Sequence, residues 1–101
     1  MDTKTLISDA KARFSFNASK TYLKDKYTSK LIFADQNGLW RATPEFLALL
    51  NSLQSDTVIL LDDYENPIKI NRHTLLWKAT QVHTKVMDEW YSEFEELKNT
   101  R

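Results

Sequence analysis

The apolar positions change period several times along the chain, and each change marks an element. Leu6, Ile7, Ala10 and Phe14 recur at helical spacing behind Asp2 or Thr3, either of which can cap a helix. Ser15–Asn17 breaks the pattern, which resumes at Ala18, Tyr22, Leu23 and Tyr27. Residues 3–28 therefore read as one bent helix or as two helices. Leu31-Ile32-Phe33-Ala34 and Leu39-Trp40-Arg41-Ala42 are strand-like and flank Asp35-Gln36-Asn37-Gly38. The Asn-Gly pair there is a strong hairpin signal, because both residues tolerate positive φ. Gly38 is the sole glycine of the chain, so its position is expected to matter.

Thr43-Pro44-Glu45 has the order of a helix start, with a capping hydroxyl, a proline at the first turn and an acid at the positive end. The helix it opens carries Phe46, Leu47, Leu49, Leu50 and Leu53 and ends within Asn51–Asp56. Thr57-Val58-Ile59-Leu60-Leu61 is nearly all apolar, which places it centrally in a sheet. Residues 62–67 turn the chain, Ile68-Lys69-Ile70 returns as a half-exposed strand, and Asn71 caps a final helix from about Arg72 to about Lys98. That helix is longer than a domain of this size requires. The order is helix or helix pair, hairpin, short helix, hairpin, long helix. It gives an α+β class with two β-hairpins forming antiparallel sheet, either one four-stranded sheet or two separate hairpins, and a single domain over residues 1–101.

Composition narrows the chemistry. Twelve aromatic residues among 101 can supply a core without staples, and the absence of cysteine excludes disulfides, thiolate metal sites and thiol nucleophiles. No apolar run is long enough to span a bilayer and none near the start resembles a signal peptide, so a cytoplasmic protein is expected. The formal net charge is zero, unlike that of a general nucleic-acid binder. Its distribution is uneven: residues 1–30 carry seven basic and three acidic groups, and residues 31–71 two basic and six acidic. Asp88, Glu89, Glu93, Glu95 and Glu96 crowd the last helix. Such segregation suits either packing of the first helix beside the last or attraction of a charged partner.

The last helix holds the main functional candidates. Leu75, Leu76, Ala79, Val82 and Val86 form a stripe for the sheet, whereas Met87, Trp90, Phe94 and Leu97 follow at spacings of three and four, with Tyr91 beside them. This seam either packs on the chain's own first helix or pairs with another protein. Lys20, Lys24, Lys26 and Lys30 form the basic stretch most able to meet a charged partner. Asp62, Asp63 and Glu65 lack the spacing and glycine of a cation loop, and His73 and His83, about 80° apart in direction and about 15 Å apart along a helix, cannot share a metal. Phosphate-cradling loops, nucleophile elbows and zinc-protease spacings are missing, so neither an enzyme nor a cofactor or metal is expected.

Four phrases together resemble a small protein family of large contractile-tailed phages. They are Tyr22–Tyr27 (YLKDKY), Gly38–Glu45 (GLWRATPE), Asn66–Asn71 (NPIKIN) and Met87–Tyr91 (MDEWY). Members are described as head vertex assembly chaperones. The resemblance implies a phage assembly role in the host cytoplasm, with a phage structural protein as partner, and assigns no functional residues. The expectation is a non-catalytic, homo-oligomeric assembly factor using Met87, Trp90, Tyr91, Phe94 and Leu97. The alternative is a regulator that binds nucleic acid or transcription machinery through the four lysines. Steep salt dependence would mark the latter.

Overall fold

In the computed structural model, residues 3–99 are described, with side chains omitted for residues 3–12 and 14. The order is α1 (Thr3–Lys30), β1 (Ile32–Asp35), β2 (Gly38–Arg41), α2 (Pro44–Ser52), β3 (Thr57–Leu61), β4 (Pro67–Asn71) and α3 (Arg72–Asn99). The chain is thus α+β with a long C-terminal helix. The first helical segment is one continuous helix rather than a pair. The side chains of the Leu6, Ile7, Ala10 and Phe14 stripe, and the Asp2 cap, lie outside what is described.

The strands form two separate antiparallel pairs, β1–β2 and β3–β4, and not one four-stranded sheet. β3 is therefore not central. The apolar composition that suggests a doubly flanked strand belongs to an edge, and Ile59 and Leu61 are exposed on it. Only Val58 and Leu60, on the opposite face, pack toward the core.

The first hairpin turn also differs from the Asn-Gly expectation. Asp35 pairs with Gly38, so the two-residue loop is Gln36-Asn37, with φ of 49° and 65°. Positive φ at both central positions is the type I′ pattern that matches strand twist. Gly38 has no positive φ. Its requirement is space: a Cβ there would come within 2.6 Å of Trp40 Cζ2 and 2.8 Å of Ile68 Cδ1. Glycine lets the Trp40 indole lie over β2, where its Nε1–H donates to the Asp35 carbonyl at 2.8 Å.

The predicted caps are in place. Thr43 Oγ1 accepts from Phe46 N at 3.2 Å, Pro44 opens α2, and Asn71 Oδ1 accepts from Thr74 N at 2.9 Å. The core lies where both hairpins and α2 meet the first half of α3. Trp40, Leu50, Ile70 and Leu75 are its largest fully buried side chains, each stabilising the fold by about 1.5–3 kcal/mol or more. Asp62 fastens the hairpins together. Its buried carboxylate accepts from the backbone N–H groups of Leu39, Tyr64 and Asn66. These bonds, the Asn66 bond first, hold the carboxyl below its ordinary range against the opposing effect of burial. The Asp62–Glu65 stretch is thus a hydrogen-bonded turn, with Asp63 in an ion pair to Arg41 at 2.9 Å.

Candidate interaction surface

Beyond the hairpins, α1 and α3 run side by side as an antiparallel helical arm, and the described residues extend over 65 × 23 × 21 Å. Between the helices lie buried Leu23 and Tyr27 from α1 and half-buried Trp90, Phe94 and Leu97 from α3. The Tyr27 and Trp90 rings stack, with centroids 6.0 Å apart and planes 10° from parallel. Farther out, Phe16 meets Phe94 at 6.3 Å. The three-four spacing on α3 thus builds the arm's interior as an antiparallel seam.

One flank of the arm is a charge ladder. Lys26 Nζ donates to Glu93 Oε1 at 2.7 Å, and the Tyr27 hydroxyl donates to the same oxygen at 3.1 Å. Lys30 Nζ lies 3.7 Å from Glu89 Oε2 and 4.9 Å from the centre of the Tyr27 ring. The Lys26 hydrogen bond, helped by the one from Tyr27, lowers the Glu93 pKa although burial opposes it. The Glu93 bond raises that of Lys26. Burial, with the hydrogen bond to Glu93, raises the Tyr27 phenol. The basic and acidic segments visible in the sequence are therefore joined within the chain on this flank.

The opposite flank has a different character. Lys20, Thr21, Lys24, Trp90 and Phe94 line a shallow groove of about 250 Å³ between the helices. Lys20 Nζ is 5.6 Å from the Phe16 ring centre. Met87 and Tyr91 stand on the outward side of α3, with Tyr91 66% exposed. Met87 adjoins Trp90, and Tyr91 adjoins Phe94, each at a helical spacing of three. The structure thus divides the predicted residues. Trp90, Phe94 and Leu97 pack toward α1, while Met87 and Tyr91 face solvent. Lys26 and Lys30 pair with glutamates, while Lys20 and Lys24 rim the groove.

Trp77 escapes the sequence reading. It is 64% exposed on α3, fourteen residues before Tyr91 and so close to it in direction. Its signal is the same heptad spacing, hidden because Thr80 and Thr84 occupy the positions between. The exposed Tyr64 in the second hairpin turn has no periodic signal at all.

His83 Nδ1 lies 2.9 Å from the Ala42 carbonyl oxygen, which anchors α3 to the end of β2. His73 Nε2 lies 2.9 Å from Asp56 Oδ1 at the surface. Among the described residues no three His, Asp or Glu side chains are placed to hold a metal ion, and no helix is long and apolar enough to cross a membrane. Comparison with family models, curated proteins and solved structures finds no match.

Proposed function

We propose that this chain is a non-catalytic protein-binding assembly factor that engages its partner through the outward side of α3 and the adjoining α1–α3 groove. One observation carries the reading. A groove floored by Trp90 and Phe94 and rimmed by Lys20 and Lys24 continues onto exposed Met87 and Tyr91. Aromatic anchors beside unspent charge suit recognition of an apolar, acidic protein surface. The resemblance to phage head vertex chaperones makes a phage structural protein, or another copy of this chain, the specific partner of this reading.

The nucleic-acid alternative draws on the same lysines. With Lys26 and Lys30 spent on Glu93 and Glu89, only half of that basic stretch is left to neutralise phosphate. Protein binding is therefore the better use of the surface.

The test is a photo-crosslinking residue placed at Tyr91, in the cell where the protein acts, with one at exposed Lys78 as control. A discrete protein adduct at position 91, lost in a Lys20→Glu/Lys24→Glu background, supports the reading. Adducts that are equal at both positions, or that consist of nucleic acid, overturn it.

A further inference from the structure

β3 is the segment whose composition and position disagree. Thr57–Leu61 carries no charge, glycine or proline, the composition of a strand flanked on both sides. It nevertheless pairs with β4 alone. The bonds from Arg72 N to Asp56 O and from Asp62 N to Asn66 O set the alternation of the ladder. The N–H and C=O groups of Thr57, Ile59 and Leu61 therefore point away from β4. No element other than β4 packs extensively against β3 among the described residues.

The neighbouring edges offer fewer open backbone groups. On β4, Pro67 has no N–H to offer, and the Gln36 side chain bonds both backbone groups of Asn71. On β2, Asp62 and Asp63 bond the N–H and the C=O of Leu39. β1 is short, with Ile32 and Ala34 alone directed outward. Proteins usually guard an edge strand with charge, proline or a bulge. β3 has none of these, and its Ile59 and Leu61 side chains are 68% and 64% exposed.

We propose that β3 pairs antiparallel with β3 of a second copy of this chain, about a two-fold axis at Ile59, making one sheet in the order β4–β3–β3–β4. The register accommodates a second copy as the occupant. The outward residues 57, 59 and 61 are symmetric about 59, so Thr57 meets the second copy's Leu61 and Ile59 meets its own equivalent. Every outward N–H then finds an outward C=O. The five residues carry no charge with which to select a charged foreign strand, and an uncharged edge is what they match.

The acids flanking the strand do not oppose this pairing. Asp62 turns its carboxylate inward onto three N–H groups, Asp56 holds His73 and Asp63 holds Arg41. The pairing also restores to β3 the central place its composition implies. It uses a surface separate from the α3 face.

The chain has no cysteine, so Ile59→Cys introduces a single thiol. Directly opposed hydrogen-bonded residues have Cα atoms about 5.5 Å apart, within disulfide reach. Mild oxidation should convert Ile59→Cys to a covalent dimer, whereas Lys69→Cys, exposed on β4, should stay monomeric. Light scattering across a concentration series should show a dimer, and Ile59→Lys should weaken it roughly tenfold or more by opposing like charges. Because the Ile59 side chain is exposed, the circular dichroism of both variants should match that of the original. A monomer at every concentration, equal cross-linking of the two cysteine variants, or an unchanged dimer in Ile59→Lys each overturns the proposal. If Tyr91→Ala dissolves the dimer and Ile59→Lys does not, the helix is the interface and β3 pairing is wrong.

Discussion

The Gln36 side-chain amide reads the backbone of Asn71 as a strand would. Its Oε1 accepts from Asn71 N at 2.7 Å, and its Nε2 donates to Asn71 O at 3.2 Å. One side chain thereby ties the tip of the first hairpin to the start of α3, 35 residues away, and does so from a left-handed backbone conformation. Gln36→Ala removes both bonds and leaves the positive φ without compensation. It should cost about 1–2 kcal/mol in urea unfolding. Gln36→Glu should be comparably harmful, since a carboxylate would face the Asn71 carbonyl. Equal stability of Gln36→Glu and the original chain would show that the clasp is unimportant.

Two neighbouring positions in that turn should respond for different reasons. Asn37→Ala keeps the space but places a residue with no polar side chain at φ 65°, at a cost of about 1–2 kcal/mol. Gly38→Ala has an ordinary φ and instead drives a methyl into Trp40 and Ile68, at a cost of about 1–3 kcal/mol. The Gly38 variant should also disturb Trp40, seen as a shift in tryptophan fluorescence, and the Asn37 variant should not.

On α3, adjacent aromatics have separable roles. Trp90→Ala loses the stack on Tyr27 and leaves a void in the arm, so stability should fall by about 2–4 kcal/mol. Tyr91→Ala should change stability by no more than about 0.5 kcal/mol, because the ring is exposed. Its effect should appear in partner capture. Thermal melts of the two variants, run beside the cross-linking assay, separate the arm's interior from its surface. A Tyr91→Ala melt as low as that of Trp90→Ala would place Tyr91 in the interior.

What the sequence conveyed follows from how local the physics is. Thr43-Pro44 and Asn71 announce helix starts because capping is settled within three or four residues. The α3 stripe from Leu75 to Val86 is legible because one helix face meets one core. The Asp35–Gly38 turn is legible, but the role of its glycine is not: positive φ falls on Gln36 and Asn37, and Gly38 instead gives Trp40 room across the strand. The location of β3 was illegible for another reason: apolar composition reports that a strand wants cover, not which chain supplies it. Likewise the spacing of Trp90 and Phe94 predicted a seam, and only the Lys26–Glu93 and Tyr27–Trp90 contacts identify α1 as the helix it meets.

The joint between α1 and α3, with Asp62 between the hairpins, should make stability depend on pH at both extremes. Glu93 and Asp62 have pKa values lowered in the folded protein, so the fold binds fewer protons than the unfolded chain near pH 4. Their contribution is present above the ordinary carboxylate range and is lost as pH falls through the folded values. Lys26 and Tyr27 have raised values, so their contribution is complete below about pH 10 and is lost as pH rises through the folded values. The melting temperature should therefore be flat near neutrality and fall on both sides. Glu93→Gln keeps an oxygen acceptor but removes the negative charge common to Lys26 and Tyr27, so it should lower the plateau and partly flatten both limbs. Asp62→Asn should flatten only the acid limb, because its partners are backbone N–H groups that do not titrate. Melting curves of the three proteins across the pH range give the comparison. An alkaline limb unchanged in Glu93→Gln would mean that the Lys26–Glu93–Tyr27 cluster does not hold the arm together.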